Sequence, residues 1–167
     1  IQENNSVENK LLSVLQQLPF LIERRVNNLL EKKIAQAKKI VQDFELYNYC
    51  AIIYQYEMLI LEVDKHYETK KSKLTNELLQ NEQKLQNIRN YQQLKDEWLM
   101  IRQDTNTYIR EKNKIDFVSD KLTIPYLSDI EKAITTASKI LFHYVRVGYF
   151  LMINDAEAAY TDSVAQY

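Results

Sequence analysis

The sequence predicts an all-α fold: an elongated antiparallel helical bundle or coiled coil of about three long helices plus a short N-terminal helix. Three observations carry this expectation. The 167 residues include one glycine and two prolines, too few to supply the turns of a many-stranded β fold. Neither residue type occurs between Phe20 and Thr123. Apolar residues recur at gaps of three and four, which places them on one face of a helix.

The short N-terminal helix is expected within residues 1–18. Asn5-x-x-Glu8 and Ser13-x-x-Gln16 both have the spacing of a capping box, in which two side chains satisfy the unpaired N–H groups of a helix start. Pro19 interrupts it, because proline lacks the N–H and crowds the preceding turn.

A first arm is predicted over 20–68. Its seam runs through Val26, Leu30, Ile34, Ala37, Val41, Phe44, Tyr47, Ala51, Tyr54, Met58 and Leu61. Ile40, Cys50, Ile53 and Ile60 widen that stripe, which favours burial against two neighbours over a bare two-stranded coil. The pattern thins beyond Lys65, and a seam of shifted phase resumes at Tyr91, Leu94, Trp98, Ile101, Thr105, Tyr108, Ile115, Val118 and Leu122. A phase shift marks a discontinuity or a reversal. A reversal near Glu68–Asn76 gives a second arm over 76–122. Thr123-Ile124-Pro125 ends that arm, since the residue before proline avoids helical geometry. Ser128-x-x-Glu131 then opens a third helix over 126–165, with a seam at Leu127, Ile130, Ile134, Ala137, Leu141, Tyr144, Gly148 and Leu151. Lys139–Ile153 is apolar on most of its circumference and is the segment predicted to be most buried.

The whole reads as a single domain. It opens without an initiator Met and is expected to be a segment of a longer protein. The outline of three long helices is similar to that of BAR-type membrane-curving domains and of spectrin-like repeats, a likeness of periodicity.

Composition narrows the function. A lone glycine, Gly148, cannot build a phosphate-cradling loop. Cys50, the only cysteine, excludes an internal disulfide and reads as a small buried hydrophobe in a reducing compartment. The net charge of −1 gives no global attraction to nucleic acid. The longest uncharged stretches, Leu11–Ile22 and Leu46–Tyr56, are shorter than a membrane span. Glu62 and His66 share a helix face at i,i+4, but zinc needs three or four ligands, so an ion pair is the simpler reading. Asp155 and Glu157 at i,i+2 face apart. No catalytic, cofactor-binding or metal-binding residue is predicted.

The chain is therefore expected to be a non-enzymatic structural and interaction module, a coiled-coil scaffold or tether for oligomerisation or subunit assembly in an intracellular complex. Its partners would be a second copy or another helical chain, with no nucleic acid and no small-molecule substrate. Off-seam Ile40, Tyr49, Tyr56, Tyr149 and Phe150 are the candidate partner surface, since apolar side chains outside the core mark interfaces. The alternative is a BAR-like peripheral membrane module that presents Arg24, Arg25, Lys32, Lys33, Lys38, Lys39, Lys70, Lys71 and Lys73 to anionic lipid, each worth about 1 kcal/mol near such a surface. An extracytoplasmic helical sensor is a third reading. The expected location is cytoplasmic or peripheral to a membrane.

Overall fold

Scarce glycine and proline and the periodic apolar residues dictate helix, and helix is what forms. The computed structural model describes residues 2–61, 67–104 and 111–165. Among these there is no strand. In chain order the helices are α1 (Gln2–Leu15), α2 (Leu18–Glu23), α3 (Asn27–Asp43), α4 (Cys50–Leu61), α5 (Tyr67–Asp104), α6 (Glu111–Thr123), α7 (Pro125–Ser128), α8 (Thr136–Met152) and α9 (Ala156–Val164). Short 3-10 turns at Tyr47–Tyr49 and Ile130–Lys132 lie among them.

Apart from α5, 38 residues long, the helices are shorter and more numerous than three long rods, which corrects the predicted arrangement. The first arm is broken twice. After α2, Arg25 adopts the left-handed conformation (φ 54°), with Val26 N–H donating to Leu21 O (3.0 Å) and Arg25 N–H to Ile22 O (3.0 Å). This pair of bonds is a Schellman cap, normally built around glycine. After α3, Glu45 does the same (φ 53°) and Leu46 N–H donates to Val41 O (3.0 Å). The third helix is broken likewise, by Asn154 (φ 59°) with Asp155 N–H on Phe150 O (3.0 Å). The predicted reversal at Glu68–Asn76 is also displaced. Those residues lie inside α5, and α4 has already ended at Leu61. Tyr54 Oη is 3.2 Å from Thr75 Oγ1, and Leu61 lines one groove with Lys70 and Leu74, so α4 and the start of α5 run antiparallel. The Glu62–His66 pair lies outside the described residues, as do Thr105 and Tyr108 of the second seam.

Both prolines begin helices. Pro19 and Pro125 occupy the first turn of α2 and α7, where a missing N–H costs nothing. Ser128 does not cap a helix; its Oγ turns back to Pro125 O (3.5 Å), and Asp129 accepts from Glu131 N–H instead. The working capping box is Thr135–Ser138 at the start of α8, with both reciprocal bonds present (3.0 and 2.9 Å).

The chain divides into two compact units, Ile1–Leu85 and Gln86–Tyr167. In the first, α1, α2 and α4 pack on α3. Its buried residues include Leu11, Leu18, Leu30, Ile34, Ala37, Val41 and Ile53. In the second, Tyr91 and Trp98 of α5, Val118 of α6, Leu127 of α7 and Phe142, Val145 and Tyr149 of α8 form one core. The irregular stretch before α8 is held by side chains. Asn87 donates to Lys132 O (2.8 Å) and accepts from Ile134 N–H (3.1 Å), and Tyr91 Oη donates to Tyr126 O (2.9 Å).

Candidate functional site

The seam expected on the third helix is displaced on α8. Burial falls on Ser138, Phe142, Val145 and Tyr149, while Tyr144 and Leu151 are exposed, as is Ile134 ahead of the helix. At 100° per residue, Ile140, Tyr144, Val147 and Leu151 make a second apolar stripe on the opposite side. Ile140 is 51% exposed, Tyr144 42% and Leu151 57%. The segment predicted to be most buried therefore shows one apolar face to its core and another to solvent.

A groove of about 520 Å³ runs beside this stripe, lined by Trp98, Arg102, Tyr144, Val147, Leu151 and Met152, with Gly148 and Ser163. Its wall is tightly built. The Trp98 ring meets Tyr144 edge to face (5.4 Å between centroids), and Arg102 lies over it. Gly148 makes this approach feasible, because a Cβ there would fall 2.5 Å from Trp98 Cζ2 and Nε1. Trp98 Nε1 and Tyr149 Oη are buried without a protein partner. Burial pushes the Tyr149 hydroxyl up to about 12, with the Glu97 charge adding to it.

On the flank of α8, α9 is fastened by a polar cluster. His143 Nδ1 lies 3.0 Å from Asp162 Oδ1, and Arg146 Nε donates to Asp162 Oδ2 (3.0 Å). Arg146 also donates to Leu127 O (2.6 Å) and lies over the Phe150 ring.

The first unit has a counterpart cluster. Lys38 of α3 bridges Glu57 of α4 (3.0 Å) and Glu77 of α5 (2.8 Å). Beside it Gln42 donates to Asn81 (3.1 Å). Burial works against the Lys38 ammonium, yet the bonds and charges of Glu77 and Glu57 outweigh it and hold its pKa above the ordinary lysine value. Burial raises the Glu57 pKa, with the Glu77 charge adding to it, against the lowering pull of Lys38. Burial also pushes the neighbouring Cys50 thiol up to about 11, with Glu77 adding to it, so it carries no thiolate at neutral pH.

The predicted partner surface is divided by the structure. Ile40 and Tyr149 are buried core residues, which corrects their placement on an exposed partner surface. Their offset from the predicted seam reflects a wider buried face on α3 and a rotated one on α8. Tyr49 is half-buried and its hydroxyl donates to Glu8. Tyr56 and Phe150 are half-buried. Among the basic residues, Lys38 belongs to the ion cluster just described and not to a lipid-facing edge, a second correction. Arg24 and Arg25 lie at the turn between α2 and α3 and Lys32 and Lys33 in the second turn of α3; the first three are exposed and Lys33 is half-buried. Lys39 is exposed two turns further along α3. Lys70 and Lys73 line a groove with Glu31, Ile34, Ile60 and Leu61, and Lys71 is half-buried on α5. The outward stripe of α8 was not predicted as a surface; the near-continuous apolar circumference of Lys139–Ile153 was its signal.

No group of three or more His, Cys, Asp or Glu able to hold a metal occurs among the described residues. No described helix is long and apolar enough to cross a membrane. Compared with protein-family models, curated proteins and solved structures, the chain matches none.

Proposed function

We propose that the chain is a non-enzymatic assembly module that pairs with a second copy of itself through the outward face of α8. One observation carries this: a helix apolar on two opposite sides has only one side covered. The stripe is self-complementary. Laid antiparallel about a twofold axis, Ile140 meets Leu151 and Tyr144 meets Val147, a large residue against a smaller one. This is the isologous pattern of a symmetric dimer. The intracellular scaffold reading made from the sequence takes this concrete form.

Light scattering coupled to size exclusion tests it. A dimer is expected whose population rises with concentration. Ile140→Asp with Leu151→Asp is expected to leave a monomer of unchanged helical circular dichroism, because both side chains already face water. A wild-type monomer at every concentration, or a dimer indifferent to the double substitution, overturns the reading. A complex formed only with a different helical chain would replace the second copy with a hetero-partner.

A further inference from the structure

We propose that the corner where α2 turns into α3 docks on an anionic phospholipid bilayer. The observation is a juxtaposition of exposed apolar and cationic side chains across one tight turn. Phe20 is 53% exposed, Val26 40% and Leu29 42%. Arg24, Arg25 and Lys32 are exposed between and beside them, and Lys33 is half-buried. Amphipathic surfaces of this kind seat apolar groups at the acyl boundary while the cations meet lipid phosphates and carboxylates.

The fold sets this patch apart from the acidic residues of α3. Leu29, Lys33 and Gln36 share one flank of the helix, beside the buried line of Leu30, Ile34 and Ala37. Glu31 sits on the other flank, where it lines the groove with Lys70 and Lys73. Glu23 is the one carboxylate left among the four cations of the turn. The left-handed turn at Arg25 puts Arg24, Arg25 and Val26 at the bend, with Leu29, Lys32 and Lys33 in the first two turns of α3. Nucleic acid is a poorer fit, since base stacking needs open aromatic faces along a basic track. The only aromatic ring here, Phe20, already carries the Arg24 guanidinium 4.5 Å from its centroid. This surface lies in the first unit and does not depend on the pairing proposed for α8.

Co-sedimentation of the whole chain with vesicles tests it, comparing mixed phosphatidylcholine and phosphatidylserine with phosphatidylcholine alone. Binding to the anionic vesicles only, weakened by salt, is expected. Lys32→Gln with Lys33→Gln should weaken it about thirtyfold, on the scale of the attraction each basic side chain contributes near such a surface. Phe20→Ser with Leu29→Ser should weaken it at high salt as well, because it removes the inserted groups. Phe20, Leu29 and Lys32 are exposed and Lys33 is half-buried, and unchanged circular dichroism verifies that the variants fold. No binding to anionic vesicles, equal binding to neutral ones, or insensitivity to both double substitutions overturns the proposal. So does equal affinity for single-stranded RNA, which would mark a nonspecific basic patch.

Discussion

The helices α3 and α8 are both 17 residues long and both are centres of their units, yet they are tied to their neighbours by different means. α3 buries one apolar line, and its joint with α4 and α5 is ionic, through Lys38, Glu57 and Glu77. Its outer side is polar and basic. α8 is joined to α5 by steric closeness, with the Trp98 ring resting where Gly148 has no side chain. Its outer side is apolar. A helix that spends its apolar residues on one face leaves charge for the surface to work with. A helix apolar on two faces leaves a surface that needs covering. The two proposed contacts, lipid for the α2–α3 corner and a second copy for α8, follow from that difference.

The steric joint should be the more fragile. Gly148→Ala places a methyl against Trp98 in a packed wall, and overpacking of this kind costs about 3 kcal/mol at its upper end. The thermal midpoint should fall, and the Trp98 fluorescence spectrum should shift as the indole is displaced. Trp98→Leu in the same chain should recover part of the loss, a coupling that a double-mutant cycle measures. If Gly148→Ala is neutral, the glycine is a tolerated defect and the contrast with α3 disappears.

The ionic joint should yield less, and with a different signature. Lys38→Met leaves Glu57 and Glu77 facing each other without a cation. The expected cost is about 2 kcal/mol, below that of a fully buried broken pair because the cluster keeps some access to water. The sign of the pH dependence is fixed by the direction of the shifts. The fold raises the Lys38 pKa, so its contribution is complete below the ordinary lysine range and is lost as pH climbs through the raised value. Burial raises Glu57, so its protonated form favours the fold, and stability drawn from it declines as pH rises through the carboxylate range. Lys38→Met should therefore recover stability on acidification, when Glu57 gains its proton, and should lose the alkaline decline of the parent chain. Denaturant midpoints across pH measure both; a cost independent of pH would assign Lys38 a packing role only.

The sequence made the helical class legible because helix needs only periodic apolar residues and an absence of breakers. It also made legible the positions of Pro19 and Pro125 and the buried parts of the second seam, Tyr91, Trp98 and Val118. The helix ends were hidden for a physical reason. A Schellman turn favours an apolar contact between the residue after the turn and the last full turn of the helix. Val26 with Leu21 and Leu46 with Val41 are apolar at those positions here, each pair joined by a backbone hydrogen bond. To a reader of spacings, this apolar continuity across the turn looks like an unbroken seam. The orientation of α8 was hidden for another reason. Two apolar stripes with the same spacing carry no label saying which faces inward, and that choice is made by Trp98 filling the notch at Gly148. The Lys38 cluster joins residues 19 and 39 positions apart, a distance at which charge pattern gives no register.

The turns themselves offer the finest comparison between the two helices, one opening α3 and one closing α8. Arg25 holds a left-handed conformation that costs an ordinary side chain about 1 to 2 kcal/mol, whereas asparagine visits it readily. Glycine relieves that cost but loses more chain entropy on folding. Arg25→Gly should therefore raise stability by about 1 kcal/mol, and Asn154→Gly should change it by a few tenths at most. Denaturant unfolding followed by circular dichroism resolves the two. Equal gains would mean that Arg25 is no more strained than Asn154. A loss at Arg25 would mean that its side chain holds the corner by contacts worth more than the backbone conformation costs. Arg25→Gly also removes a cation from the patch proposed to meet lipid, so a chain that becomes more stable while binding anionic vesicles less well would separate what the turn does for the fold from what its side chain does at the surface.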